Sequence, residues 1–160
     1  MADSRHIEMA RPPKSGKHLG VEELRARIST TNIAKQFGFE LAEAERGRVV
    51  LRMRVDARHL QVHDVVHGGV LAALADTAGG LASYMAYPRG MRVATIEMKI
   101  NYLEAVERGT IEADARVVRG GRHIAVVDCD LRDENGRMVA KALMTFFVSP
   151  LAKHRKKSSR

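Results

Sequence analysis

A chain of 160 residues, 45% of them hydrophobic, suits one domain with a core of its own. The formal charge of +8 is uneven: residues 151–160 (LAKHRKKSSR) carry five Lys/Arg and no acid, residues 1–30 carry six against four, and residues 31–150 carry sixteen against fifteen. The basicity therefore belongs mainly to a tail of the kind that stays solvated, and with 4% aromatic residues there is little for bases to stack on, so nucleic acid is not expected as a partner.

Residues 1–20 mix Pro12, Pro13, Gly16 and Gly20 with scattered charge and read as a flexible lead. The first residues, Met1-Ala2-Asp3-Ser4-Arg5, lack the apolar run of a secretory signal, so a cytoplasmic protein is expected. From Val21 to Gln36 the pattern is helical but broken around Ser29-Thr30-Thr31-Asn32, which can end one helix and cap another. The expected organisation is a flexible, partly helical extension over 1–30, a folded domain over 31–150 and a disordered basic tail over 151–160.

Phe37 to Ala44 and Val49 to Val55 read as strands around the turn Glu45-Arg46-Gly47-Arg48. Gly68 to Met85 reads as one helix, rich in Ala and Leu and bounded by Pro88 and Gly90; being apolar nearly all round, it should be buried. The weakly charged stretch from Val65 to Met85 is mostly alanine and contains His67, Asp76 and two Gly-Gly pairs, a poor match to a membrane span. Thr95 to Tyr102 alternates polar and apolar at strand period. Thr110 to Arg119 and Arg122 to Arg132 flank Gly120-Gly121, a two-residue hairpin signal, and Asp133-Glu134-Asn135-Gly136 precedes a last strand from Met138 to Val148. One long helix followed by a four-strand antiparallel meander makes an α+β fold with the sheet wrapped about the helix.

Asp76 is the only charged residue between His67 and Arg89. A carboxylate on a buried helix costs several kcal/mol unless it is hydrogen-bonded, protonated or solvated in a cleft, so it marks either a site or an Asp tied to nearby backbone or Thr77. His67-Gly68-Gly69 opens the same helix, where free N–H groups and the positive dipole end lie; such a terminus can receive an oxyanion, or it can be a tight turn that needs glycine. The single cysteine, Cys129, excludes an internal disulfide and reads as strand core. His59, His63 and His67 are spaced by four beside Asp64, but they precede the helix and need not share a face, so no metal site is expected. Arg119 and Arg122 flank the Gly-Gly turn and either hold phosphates or are ordinary exposed charges.

The stretch HLQVHDVVHGGVLAALADTAGGLASYMA, followed by ATIEMKINYLEA and GRMVAKALMTFFV, resembles the hotdog-fold thioesterases of the phenylacetate-degradation (PaaI-like) type across about residues 31–150. The combination that carries the resemblance is His67-Gly68-Gly69 with Leu74-Ala75-Asp76 ending seven residues beyond the second glycine. It implies a hotdog fold, hydrolysis of acyl-CoA and no cofactor. The resemblance makes the Gly68 amide the group that polarises the thioester carbonyl and Asp76 the nucleophile or the base for water. It likewise has Thr95 orient the water, while Gln61 and His67 support the polar cluster. Gln61 stands where Asn is commoner and reaches one methylene further.

The two central groups impose a constraint of their own. If Gly68 and Asp76 share a helix, eight residues at ~1.5 Å each separate them by ~12 Å, whereas a reacting carbon must lie within ~3–3.5 Å of its attacker. One Asp side chain cannot span that gap, so a site using both needs them from different subunits, in a homodimer or a tetramer. Two functions are consistent with the chain: a thioesterase for acyl- or aryl-CoA, or an acyl-CoA-binding hotdog sensor without catalysis. Asp76, Gly68 and Thr95 together favour the enzyme, since a sensor does not need the carboxylate.

Overall fold

A computed structural model describes residues 16–151, so the readings of residues 1–15 and 152–160 as solvated ends fall outside the described residues. In chain order the elements are α1 (Val21–Thr30), α2 (Asn32–Phe37), β1 (Phe39–Glu45), β2 (Arg48–Arg54), a 3-10 turn at Ala57–His59, α3 (Gly68–Ala86), β3 (Met91–Tyr102), β4 (Thr110–Gly120), β5 (Ile124–Asp133) and β6 (Met138–Pro150). The helix break falls at Thr31, as the polar run around it predicts. Gly38 ends α2 in the left-handed conformation, with φ of 66°, and turns the chain directly into β1.

The six strands form one antiparallel sheet in the order β1-β2-β4-β5-β6-β3. The α+β architecture is the expected one, but the four-strand meander is not. Only β4, β5 and β6 follow one another as neighbours; β3 lies beyond β6, and β4 pairs with β2. Period-2 patterning identifies strands but not their neighbours, and while Gly120-Gly121 and Asn135-Gly136 supply hairpin turns, residues 103–109 between β3 and β4 supply none. The first hairpin is also looser than predicted. A bulge at Val117/Arg119 shifts the register, Gly120 pairs with Ala125, and β5 begins at Ile124.

The concave face of the sheet is apolar and holds α3, which contacts all six strands. Leu51 and Met53 of β2, Ile111 of β4, Val127, Cys129 and Leu131 of β5, and Met144 of β6 have no exposed surface. Cys129 is part of this core, where burial, and then the nearby Asp114, Asp130 and Asp128 carboxylates, pushes its thiol up and leaves it without reactive thiolate. On the outer face charges form a ladder. Asp114 lies directly opposite Asp130, a repulsive pairing that neighbouring cations resolve. Arg48 grips Asp114 with two bonds of 2.9 and 3.0 Å, and Lys141 bridges Asp128 and Asp130 at 2.6 Å each. Burial raises the Asp114 carboxyl, but the hydrogen bonds from Arg48 and Arg116 outweigh it and hold it below its ordinary value.

From residue 16 onward the N-terminal extension makes contacts with the rest of the domain. Leu19, Leu24 and Ile28 enter the core, and Arg89 donates to the carbonyls of Lys17 and His18 at 2.8 and 3.1 Å. Leu24 is fully buried, so Leu24→Ala should cost about 2–5 kcal/mol of stability, read as a lowered denaturant midpoint with an unchanged slope.

Candidate active site

The sheet covers only part of α3. Val70, Leu71, Leu74, Ala75, Ala78, Gly79 and Ala82 are buried, while Ala73, Asp76, Thr77, Gly80, Leu81 and Tyr84 form a half-exposed strip at helical spacing. The expectation that the whole helix is buried is therefore corrected. Alanine and glycine on every face hide which face is covered. Asp76 sits mid-strip, and its Oδ1 accepts a 2.7 Å hydrogen bond from Thr95 Oγ1 on β3. It is neither an unpaired buried charge nor tied to Thr77, whose hydroxyl donates back to the Ala73 carbonyl at 2.7 Å. A hollow of about 210 Å³ opens beside the carboxylate, walled by Leu81, Tyr84, Val93 and Phe146.

A β-bulge is what brings Thr95 to Asp76. Strict alternation through Thr95–Tyr102 sets Thr95 on the outer row with Glu97 and Lys99. In the structure the register slips between Thr95 and Glu97, and Ile96 is the extra residue. Thr95 then lies opposite Phe146 on the inner row, together with Met98, Ile100 and Tyr102. Bulges of this kind re-aim a side chain, and this one turns a hydroxyl onto the helix.

At the start of α3, His67 is the N-cap. Its Nδ1 accepts from the Gly69 N–H at 2.8 Å, so that nitrogen carries no proton and the Gly68 amide is not the one capped. Gly68 has an ordinary backbone; what it lacks is room, because a Cβ would lie 3.2 Å from the Cε1 and Cζ of Tyr102. Nothing in the residue pattern singles out Tyr102. Its contact with Gly68 becomes visible only once the β3 register is known. Gln61 is exposed in the compact loop before the helix, where its N–H donates to Val65 O at 2.9 Å and Asp64 takes a left-handed φ of 58°. The structure thus brings Asp76 and Thr95 together, and puts Gly68, His67 and Gln61 at the other end of the same helix and the loop feeding it.

The His59, His63 and His67 series is dispersed. His59 is fully buried with both ring nitrogens engaged, Nδ1 accepting from Asp56 N–H at 3.0 Å and Nε2 donating to Phe37 O at 3.0 Å. Among the described residues no group of three or more His, Cys, Asp or Glu is gathered to hold a metal. Arg119 and Arg122 are exposed at the β4–β5 turn and have no side-chain partner among the described residues. That turn is anchored to the C-terminal end of α3 by Tyr87, the helix C-cap, whose hydroxyl donates to Gly121 O at 2.7 Å. Burial pushes the Tyr87 phenol up and keeps it in the protonated form this bond requires.

Residues 63–140 match the thioesterase superfamily. The chain is similar to a crystal structure of a thioesterase from Haemophilus influenzae, with a TM-score of 0.79 and 30% identity over 87% of this chain and 96% of that one. It is also similar to the E. coli PaaI protein from the phenylacetic acid degradation operon (TM-score 0.73, 27% identity, 79% and 90% covered). A third likeness is to a hypothetical thioesterase of Streptococcus pneumoniae crystallised with coenzyme A (TM-score 0.68, 30% identity, 74% and 92% covered).

Because both ring nitrogens of His59 hold backbone groups beneath the loop that leads to α3, His59→Ala should lower stability by about 2–4 kcal/mol, combining a cavity with two orphaned backbone groups. Chemical denaturation of the variant against the parent chain measures this directly.

Proposed function

The chain belongs to the thioesterase superfamily and is a thioester hydrolase; from that premise we propose that its substrates are acyl- or aryl-CoA thioesters, cleaved with Asp76 as the catalytic carboxylate. The observation that carries this reading is the Thr95–Asp76 hydrogen bond on the uncovered strip of α3, beside an open hollow. A structural Asp has no need of solvent access, whereas a base or nucleophile must reach its substrate. In this reading Asp76 attacks the thioester carbon or deprotonates a water that does so. Thr95 orients the carboxylate and the water, and the Gly68 N–H, free in the first turn of α3, receives the developing oxyanion. Gln61 and His67 flank that amide, His67 by fixing the first turn of the helix. Coenzyme A leaves as a thiolate that takes up the proton released from water, and in the nucleophilic route that water cleaves the acyl–Asp76 anhydride to free the acid.

The ~12 Å between Gly68 and Asp76 along one helix makes the active unit a homo-oligomer with shared sites, at least a dimer. Two further features support pairing. The strip containing Asp76 carries the small residues Ala73, Thr77 and Gly80, which let a second helix approach, and β3 presents one edge of twelve residues to which no strand among the described residues is bonded. A two-fold axis near the first third of α3 then sets each Gly68 against the other subunit's Asp76. Coenzyme A is the carrier favoured by the similarity to the coenzyme A-bound streptococcal protein and by the unpaired guanidinium groups of Arg119 and Arg122, which suit its phosphates. The cytoplasm is the compartment that fits such a substrate.

Asp76→Asn keeps the shape and the bond from Thr95 but removes the basic carboxylate. It should lower kcat for the best CoA thioester by at least ~10²-fold with KM little changed; turnover at the parental rate would make Asp76 structural. Replacing both Arg119 and Arg122 with Ala should raise KM for CoA thioesters and flatten its dependence on salt, because exposed charges are screened. Thioesters truncated to lack the nucleotide should be unaffected by that change, and equal losses on both substrate types would remove the arginines from the binding site.

A further inference from the structure

Gly68 is a glycine for the sake of Tyr102. Its backbone is one that any residue adopts, yet a Cβ there would meet Tyr102 Cε1 and Cζ at 3.2 Å and the phenol oxygen at 3.5 Å. Tyr102 closes β3 on the inner row, opposite Ala140, but remains 52% exposed. One edge of its ring is therefore pressed on the first turn of α3, and much of the rest of its surface is open around the Gly68 amide. An aromatic side chain on an inner row is ordinarily covered by its own chain. Here nothing among the described residues covers it fully.

This contact has a consequence if the active site is shared, and the inference rests on that reading. Any two-fold operation that carries Gly68 to the neighbouring Asp76 must carry Tyr102 with it, since the two touch. We propose that Tyr102 enters the active site of the opposite subunit alongside Gly68, as a specificity-determining wall against which the substrate atoms next to the thioester carbonyl lean. Each site then consists of Asp76 and Thr95 from one subunit with Gly68 and Tyr102 of the partner subunit. The flat ring holds the carbonyl oxygen toward the Gly68 N–H and limits the bulk allowed at the adjoining carbon.

The test combines substitution with subunit mixing. Tyr102→Phe, which keeps the ring, should retain kcat/KM within about twofold, while Tyr102→Ala should lose at least ~10-fold, the range of a lost pocket contact. The Ala variant should also change the ratio of kcat/KM between two CoA thioesters that differ in bulk beside the carbonyl, which a merely destabilised protein would not do. Tyr102→Leu, which keeps apolar bulk on β3, stands in should the Ala variant fail to fold. When the Tyr102→Ala chain is refolded with an excess of Asp76→Asn chain, each mixed dimer holds one site with both native residues. Activity per intact Asp76 should then rise toward the parental value, which is half the parental activity per dimer. No rise on mixing, or a Tyr102→Ala enzyme with parental activity and selectivity, overturns the proposal. An active Asp76→Asn enzyme would instead overturn the catalytic reading beneath it, so the two failures are distinct.

Discussion

At Gly79 the helix α3 comes so close to β6 that a Cβ would lie 2.6 Å from the Met144 methyl and 3.1 Å from both the Met144 sulfur and the Phe146 ring. Ala75, Ala78 and Ala82 on the same face have no exposed surface. A helix with larger residues there would stand further off, and the sheet could not curve round it to bring every strand into contact. The close approach also fixes the helix's rotation. With Ala75, Ala78, Gly79 and Ala82 against the sheet, the strip carrying Asp76 faces away, within reach of Thr95 and half-exposed. The chemistry of the site is thus set by a packing requirement on the opposite side of the helix.

The two faces of the sheet divide the remaining work. Inside, apolar side chains in register supply the burial that stabilises the fold; outside, carboxylates on β4 and β5 are held by guanidinium and ammonium groups from β2 and β6. Such surface pairs contribute modestly to stability one by one. Their arrangement matters more for register, since a one-residue slip of β4 against β5 would carry Asp114 inside and the buried Ala113 and Ala115 out.

Much of this was legible in the sequence because each element carries a local signal. The Ala/Leu run from Gly68, the break at Thr31, and the turns at Gly47 and Gly136 all reappear where their chemistry predicts. The isolated charge of Asp76 and the Gly-Gly helix start were visible for the same reason. What escaped depends on partners distant in sequence. Strand order could not be read, because alternation says nothing about neighbours. The bond from Thr95 to Asp76 could not be read from spacing, because the bulge at Ile96 reverses the parity of β3. Tyr102 went unnoticed because its importance lies in touching a residue 34 positions earlier. The contacts of Lys17 and His18 with Arg89 could not be read because the partners are remote in sequence.

The placement of β3 beyond β6 also bears on how the molecule is made. β3 emerges from the ribosome before β4, β5 and β6, but its only strand neighbour among the described residues is the last of them. Until residues 138–150 are synthesised, β3 has both edges unpaired and the hydroxyl of Thr95 has no fixed position. Folding therefore cannot be completed progressively from the N-terminus. It waits for a long-range closure between segments about forty residues apart, the kind of non-local pairing that slows a chain's descent to its native state and leaves sticky edges exposed meanwhile. The half of the molecule that carries Asp76 and Thr95 is early in sequence but late in time, completed when the final strand slots between β5 and the strand that has been waiting for it.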